Sequence, residues 1–151
     1  MIVEYSLVCP NCHSQKAFSI DLAQAYNQVC CLKCKSWFST RVVKARSRNS
    51  RHLTKQRERI FSIRVRDFSG AEDLIEFANA GEQNFEFRSG DLVGFTYVNQ
   101  QLKLVQNFTV NRWMMIAPAG CWSSCCLLTS ASIVLASLSV AIFVLAIVIH
   151  L

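Results

Sequence analysis

Two cysteine pairs, Cys9-Pro-Asn-Cys12 and Cys31-Leu-Lys-Cys34, lie 18 residues apart near the start of a 151-residue chain. No other feature limits the fold as much. Two residues between cysteines let a tight turn aim both thiolates at one point. Two such turns supply the four sulfur ligands of a tetrahedral zinc. Between the pairs, "KAFSIDL" and "QVCCL" read as short strands around the turn-like "AQAYN". Leu7, Phe18, Ile20, Val29, Trp37 and Phe38 are the candidate core. A piece this short cannot hold itself together by apolar burial alone. Structural zinc would contribute roughly 10–16 kcal/mol of folding free energy.

Three other readings use the same cysteines. Cys30 competes with Cys31 as the third ligand; Cys31 repeats the gap of the first pair, which leaves Cys30 as a free thiol. A redox pair, Cys9 with Cys12, calls for a βαβ pattern around one C-x-x-C, and none is present. Disulfides suit secreted chains, and "MIVEYSLVCPNC" does not read as a signal peptide. His13 reads as a surface residue of its turn, since four sulfurs already close the site. On "CPNC" and "CLKC", residues 4–40 resemble the zinc ribbon family. Members often have glycine after the second cysteine of each turn, or knuckle; His13 and Lys35 stand there in this chain. Four thiolates leave no open position for water or substrate, so Cys9, Cys12, Cys31 and Cys34 point to a binding module.

The net charge of +6 is local. Residues 41–59 hold eight Lys or Arg against Glu58, or +7, and the rest of the chain is −1. Arg41, Lys44, Arg48, Arg51, Lys55 and Arg59 fall three or four apart and would share a face of a helix. A loop fits the composition equally well. The segment reads either as a solvated connector or as a patch for an anionic partner, nucleic acid or lipid headgroups. Aromatic side chains for base stacking are missing from it, though Trp37, Phe38 and Phe61 flank it.

From Ile60 the pattern turns to period two. Phe61, Ile63 and Val65 alternate with polar residues, and Leu102, Leu104, Phe108 and Val110 are expected on one face. Turn signals separate five short runs within residues 60–111, which predicts a small five-stranded antiparallel barrel or curled sheet. The strand count and "SGDLV" resemble an OB-fold or SH3-like barrel, which implies nucleic-acid or protein binding by analogy. The run is acidic, with Asp67, Glu72, Asp73, Glu76, Glu82, Glu86 and Asp91, which favours protein contact.

Leu127 to Leu151 contain no Asp, Glu, Lys, Arg, Pro or Gly. As a helix these 25 residues would reach about 37 Å, enough to cross a bilayer core. Ser132 and Ala136 supply small contacts suited to a homodimer. Trp113 and Trp122 suit a headgroup region, and Cys121, Cys125 and Cys126 are candidates for lipidation there. Asn107-Phe108-Thr109 matches a glycosylation acceptor and offers a topology test.

The expectation is a mainly β chain: a zinc ribbon at 1–40, a basic connector at 41–59, a small barrel at 60–111, a juxtamembrane segment at 112–126 and a single transmembrane α-helix at 127–151. Its architecture resembles that of tail-anchored proteins, with the head in the cytosol. The expected role is recruitment of a protein partner to a membrane. Alternatives are a membrane-tethered nucleic-acid binder and a thiol redox protein using Cys9 and Cys12. No phosphate loop, H-E-x-x-H or dinucleotide fingerprint occurs, and His13, His52 and His150 are the only histidines.

Overall fold

A computed structural model describes residues 1–53, 58–80 and 85–117. Lys55, the lipidation candidates Cys121, Cys125 and Cys126, and the expected span lie outside the described residues. Among the described residues, no helix is long and apolar enough to cross a membrane.

The mainly β expectation holds. The strands are β1 (Ile2–Val8), β2 (Gln15–Asp21), β3 (Asn27–Cys30), β4 (Trp37–Leu53), β5 (Glu58–Arg66), β6 (Glu72–Ala80), β7 (Leu92–Val98), β8 (Gln101–Asn107) and β9 (Arg112–Met115). β1 and β2 form an antiparallel hairpin from Ile2↔Asp21 to Val8↔Gln15. The other strands form one antiparallel sheet in the order β6-β5-β4-β7-β8-β9, with β3 added to the start of β4. The sheet curls until its outer strands face each other at Asn79. The Asn79 amide donates to Met114 Sδ (3.2 Å), and its carbonyl oxygen accepts from the Ala117 amide (3.0 Å). The curled, barrel-like sheet therefore uses six strands, β4 to β9; four of the five runs expected within 60–111 are among them, and residues 85–91 are not a strand.

The basic segment is neither helix nor loop. Residues 41–53 belong to β4, a strand of 17 residues that is central to the sheet. Its first half pairs with β3 and β7, and its second half with β5. The boundaries expected at residues 40 and 59 fall inside β4 and β5, and Met1–Ala119 form one compact unit. The physical reason is alternation. Phe38 and Val42 enter the core beneath the cysteines, while Val43 and Ala45 enter the barrel core. One strand thus supplies both cores from its two faces. Within the barrel, Phe61 stacks on Phe77 at 5.1 Å, and Phe77 meets Phe95 edge-on at 6.5 Å.

β8 also departs from the expectation. A register shift sets Leu104 opposite Thr96 but Leu102 opposite Tyr97, which makes Lys103 the extra residue. Leu102 and Leu104 therefore point to opposite faces. Val110, expected beside them, lies past the strand and is 48 % exposed. β8 is covered on both sides, by the barrel interior and by β1. Gln106 makes the second contact: its carbonyl oxygen accepts from the Val8 amide (3.2 Å) and its Nε2 donates to Ser6 O (2.7 Å).

Candidate metal centre

Each cysteine pair sits in a turn that closes a hairpin. The first knuckle links β1 to β2 and the second links β3 to β4. The turns have the same bonding. In the first, Cys9 N donates to Ser14 O (3.0 Å) and His13 N to Cys9 O (3.0 Å). In the second, Cys31 N donates to Ser36 O (2.9 Å) and Lys35 N to Cys31 O (2.9 Å). His13 and Lys35 have φ of +56° and +61°. This is the left-handed conformation that glycine adopts most readily, so two larger residues hold a glycine's place.

The four sulfurs of Cys9, Cys12, Cys31 and Cys34 lie within 4.8 Å of one another. Cys9 to Cys34 and Cys12 to Cys31 are both 3.6 Å. Zinc with four sulfurs at about 2.3 Å would set them about 3.8 Å apart. The donor set and its spacing therefore fit a tetrahedral soft cation. The close contacts join the two turns, across the chain, and not the members of one C-x-x-C. Cys30 lies outside the cluster, with its sulfur 3.7 Å from Lys35 O. His13 faces Trp113 at 5.7 Å between ring centroids.

The thiols differ in acidity for local reasons. Cys34 is lowered to about 5, first by the Ser36 hydroxyl, 3.2 Å from its sulfur, and then by the Ser36 amide. Cys31 is lowered to about 7 by the Cys34 amide and the Ser14 hydroxyl. Burial pushes Cys9 up to about 12. A dication at the centre would supply the charge that lets the buried sulfur ionise. Ser14 and Ser36 were legible in the sequence as a repeated C-x-x-C-x-S, a signal that cysteine spacing alone does not include. Asn11 links the turns by donating to Ser36 Oγ (2.9 Å).

The basic residues do not share a face. Helical spacing becomes a split when the segment is a strand with an extra residue at Arg46. Arg41, Arg48 and Arg59 lie on the barrel-facing side, opposite Phe95, Ile63 and Asn79, while Lys44 and Arg51 lie on the outer side. Arg41 is bound to Asp73 (2.6 Å), Lys44 covers the Phe68 ring (5.6 Å) and Arg48 donates to Phe85 O. Of the flanking aromatics, Phe38 and Phe61 are buried and Trp37 is exposed.

No family model matches the chain, and no curated protein or solved structure matches it either. Functional assignment therefore rests on the chemistry of the site.

Proposed function

We propose that the chain is a non-catalytic recruitment module, with a head stabilised by one structural zinc on Cys9, Cys12, Cys31 and Cys34. The four-sulfur cluster is the observation that supports it most. Four thiolates saturate zinc, so the site has ligands and no reactive position. When bound, the metal ties the β1–β2 hairpin to the β3–β4 hairpin, and so to the barrel through β4. Residues 127–151 cross a membrane in this reading, with the head on the reducing, cytosolic side. The partner captured there is a macromolecule, with a protein as the first reading.

Purified under reducing conditions, the full chain in neutral detergent should hold one zinc. Cys34→Ser should lose both metal and cooperative unfolding. A metal-free chain that stays folded would end this reading. A second reading, a thiol redox protein using Cys9 and Cys12, has the burial that pushes Cys9 up to about 12 against it, since a redox pair needs a readily ionised thiol. Reversible Cys9–Cys12 disulfide formation without metal would bring it forward; stoichiometric zinc excludes it.

A further inference from the structure

An aromatic face lies beside the second knuckle and takes no part in the metal site. Gln28 of β3 pairs with Ser39 of β4, Cys30 with Trp37, and Ser39 with Tyr97 of β7. Directly paired residues project to the same side, so Gln28, Trp37 and Tyr97 share one sheet surface. Tyr26 meets Tyr97 edge-on at 5.7 Å. With Asn99 and Gln100 these residues line a groove of about 670 Å³. Trp37 is 65 % exposed and Tyr26 49 %. Neither ring is needed to fill a core.

The groove's polar groups are the amides of Gln28, Asn99 and Gln100 and the hydroxyls of Ser39, Tyr26 and Tyr97, each able to donate and accept. Asn99 and Gln100 both have positive φ, +49° and +64°. A turn of this kind favours glycine at its second position, so Gln100 is held there at a backbone cost. The surroundings are cationic. Lys33 and Lys35, both exposed, lie on the knuckle joining Cys30 to Trp37. Arg41, 6.0 Å from the Tyr26 ring, borders the face from the other side, ion-paired with Asp73 at 2.6 Å.

We propose that this face binds single-stranded nucleic acid. Exposed rings on a sheet stack unpaired bases, amides between them meet base edges, and lysines at the rim meet phosphates. An acyl surface would leave the amides unmatched, and a neutral peptide would leave Lys33 and Lys35 without a counterpart. The proposal rests on the head being a binding module, and puts a nucleic acid where the first reading put a protein partner.

The test uses the full chain in neutral detergent, with fluorescein-labelled 12-mers of uridine and of thymidine, read by anisotropy across a salt series. Trp37→Ala should weaken binding about tenfold or more, and Trp37→Phe should restore most of it. Lys33→Gln with Lys35→Gln should reduce the salt slope by about 1.4, the contribution of two phosphate contacts. Stronger binding of the uridine oligomer would identify RNA through its 2′-hydroxyls, and equal binding would identify either strand; both support the proposal. Three results overturn it: no oligomer binding, affinity unchanged by Trp37→Ala, or capture only of phosphatidylserine vesicles or a proline-rich peptide. Each variant is first checked for unchanged zinc content and melting temperature. A folded, zinc-loaded chain that ignores oligomers sinks only this proposal, whereas loss of zinc dependence sinks the module reading itself.

Discussion

Ser14 and Ser36 stand at the same place in two turns of like bonding, each with its hydroxyl close to a cysteine sulfur: 3.1 Å to Cys12 and 3.2 Å to Cys34. With the sulfur ionised, the hydroxyl donates and spreads part of its charge. Partners of this kind orient metal ligands and tune their affinity. Ser36→Ala should therefore weaken zinc retention by about 10- to 100-fold, measured by competition with a chromophoric chelator. Unchanged retention would mean that the hydroxyls are bystanders. Asn107 shows the same principle inside the barrel wall. It is fully buried; its amide donates to Asp91 Oδ2 (2.8 Å) and its oxygen accepts from the Thr109 amide (3.0 Å). The Asn-Phe-Thr pattern is thus a folding element, and in the folded head its amide is not available to a glycosylating enzyme. An unmodified Asn107 would say nothing about topology. Asn107→Ala leaves the buried Asp91 carboxylate short of a donor and should cost about 1–3 kcal/mol in urea unfolding; a neutral result would show that water replaces the amide.

At the scale of elements, β4 decides how the cysteine-bearing hairpins and the curled sheet join. Its extra residue at Arg46 keeps Ser47–Leu53 in phase with β5. Deleting Arg46 would turn each following residue to the opposite face, so it should destabilise by more than about 4 kcal/mol. Arg46→Ala, at an exposed side chain, should stay within about 0.5 kcal/mol. Equal effects would show that the bulge slides freely. This is also where sequence reading met its limit. The metal site was legible because a C-x-x-C turn is local: four residues settle its shape. Lys44 and Arg51 were read as helix or loop, and not as strand, because charge spacing of three or four also occurs in a strand whose phase slips once. A bulge is set by the partner strand, and a single segment does not display its partner. Leu102 and Leu104 were misread for the same reason. The ends of β4 and β6 are linked by Arg41 and Asp73 at 2.6 Å. The bond from Arg41 holds the Asp73 carboxyl below its ordinary range. Its stabilisation is present above the unfolded carboxylate pKa of about 3.9, and is lost as pH falls through the lower folded value. Asp73→Asn should remove that acid-limb dependence from a stability–pH profile, and an unaltered profile would assign the limb to other carboxylates.

Over Met1–Ala119, the contacts between the cysteine-bearing half and the barrel-like half decide whether they unfold together. Gln106 ties β8 to the β1 backbone, Tyr5 packs against Phe108 at 4.8 Å with the rings tilted by 35°, and β4 runs through both halves. Gly94 belongs to the same junction. A Cβ there would lie 2.8 Å from the Phe108 ring, so the glycine makes room for the ring that meets Tyr5. The cysteine-bearing half has too small a core to persist alone, and removal of a bound metal should release it. The barrel half then loses its cover over Gln106, Thr96 and Leu104, all buried in the intact head. Leaving those surfaces in water while the barrel stays folded would forfeit much of its stability. Chelation of the zinc should therefore unfold Met1–Ala119 in one step. Thiol accessibility to a disulfide reagent and the far-ultraviolet dichroism of the strands should change along the same curve as chelator is added. If the thiols react fully while the strand signal persists, the barrel is an independent domain. The long shared strand would then be a tether between two units and not the spine of one.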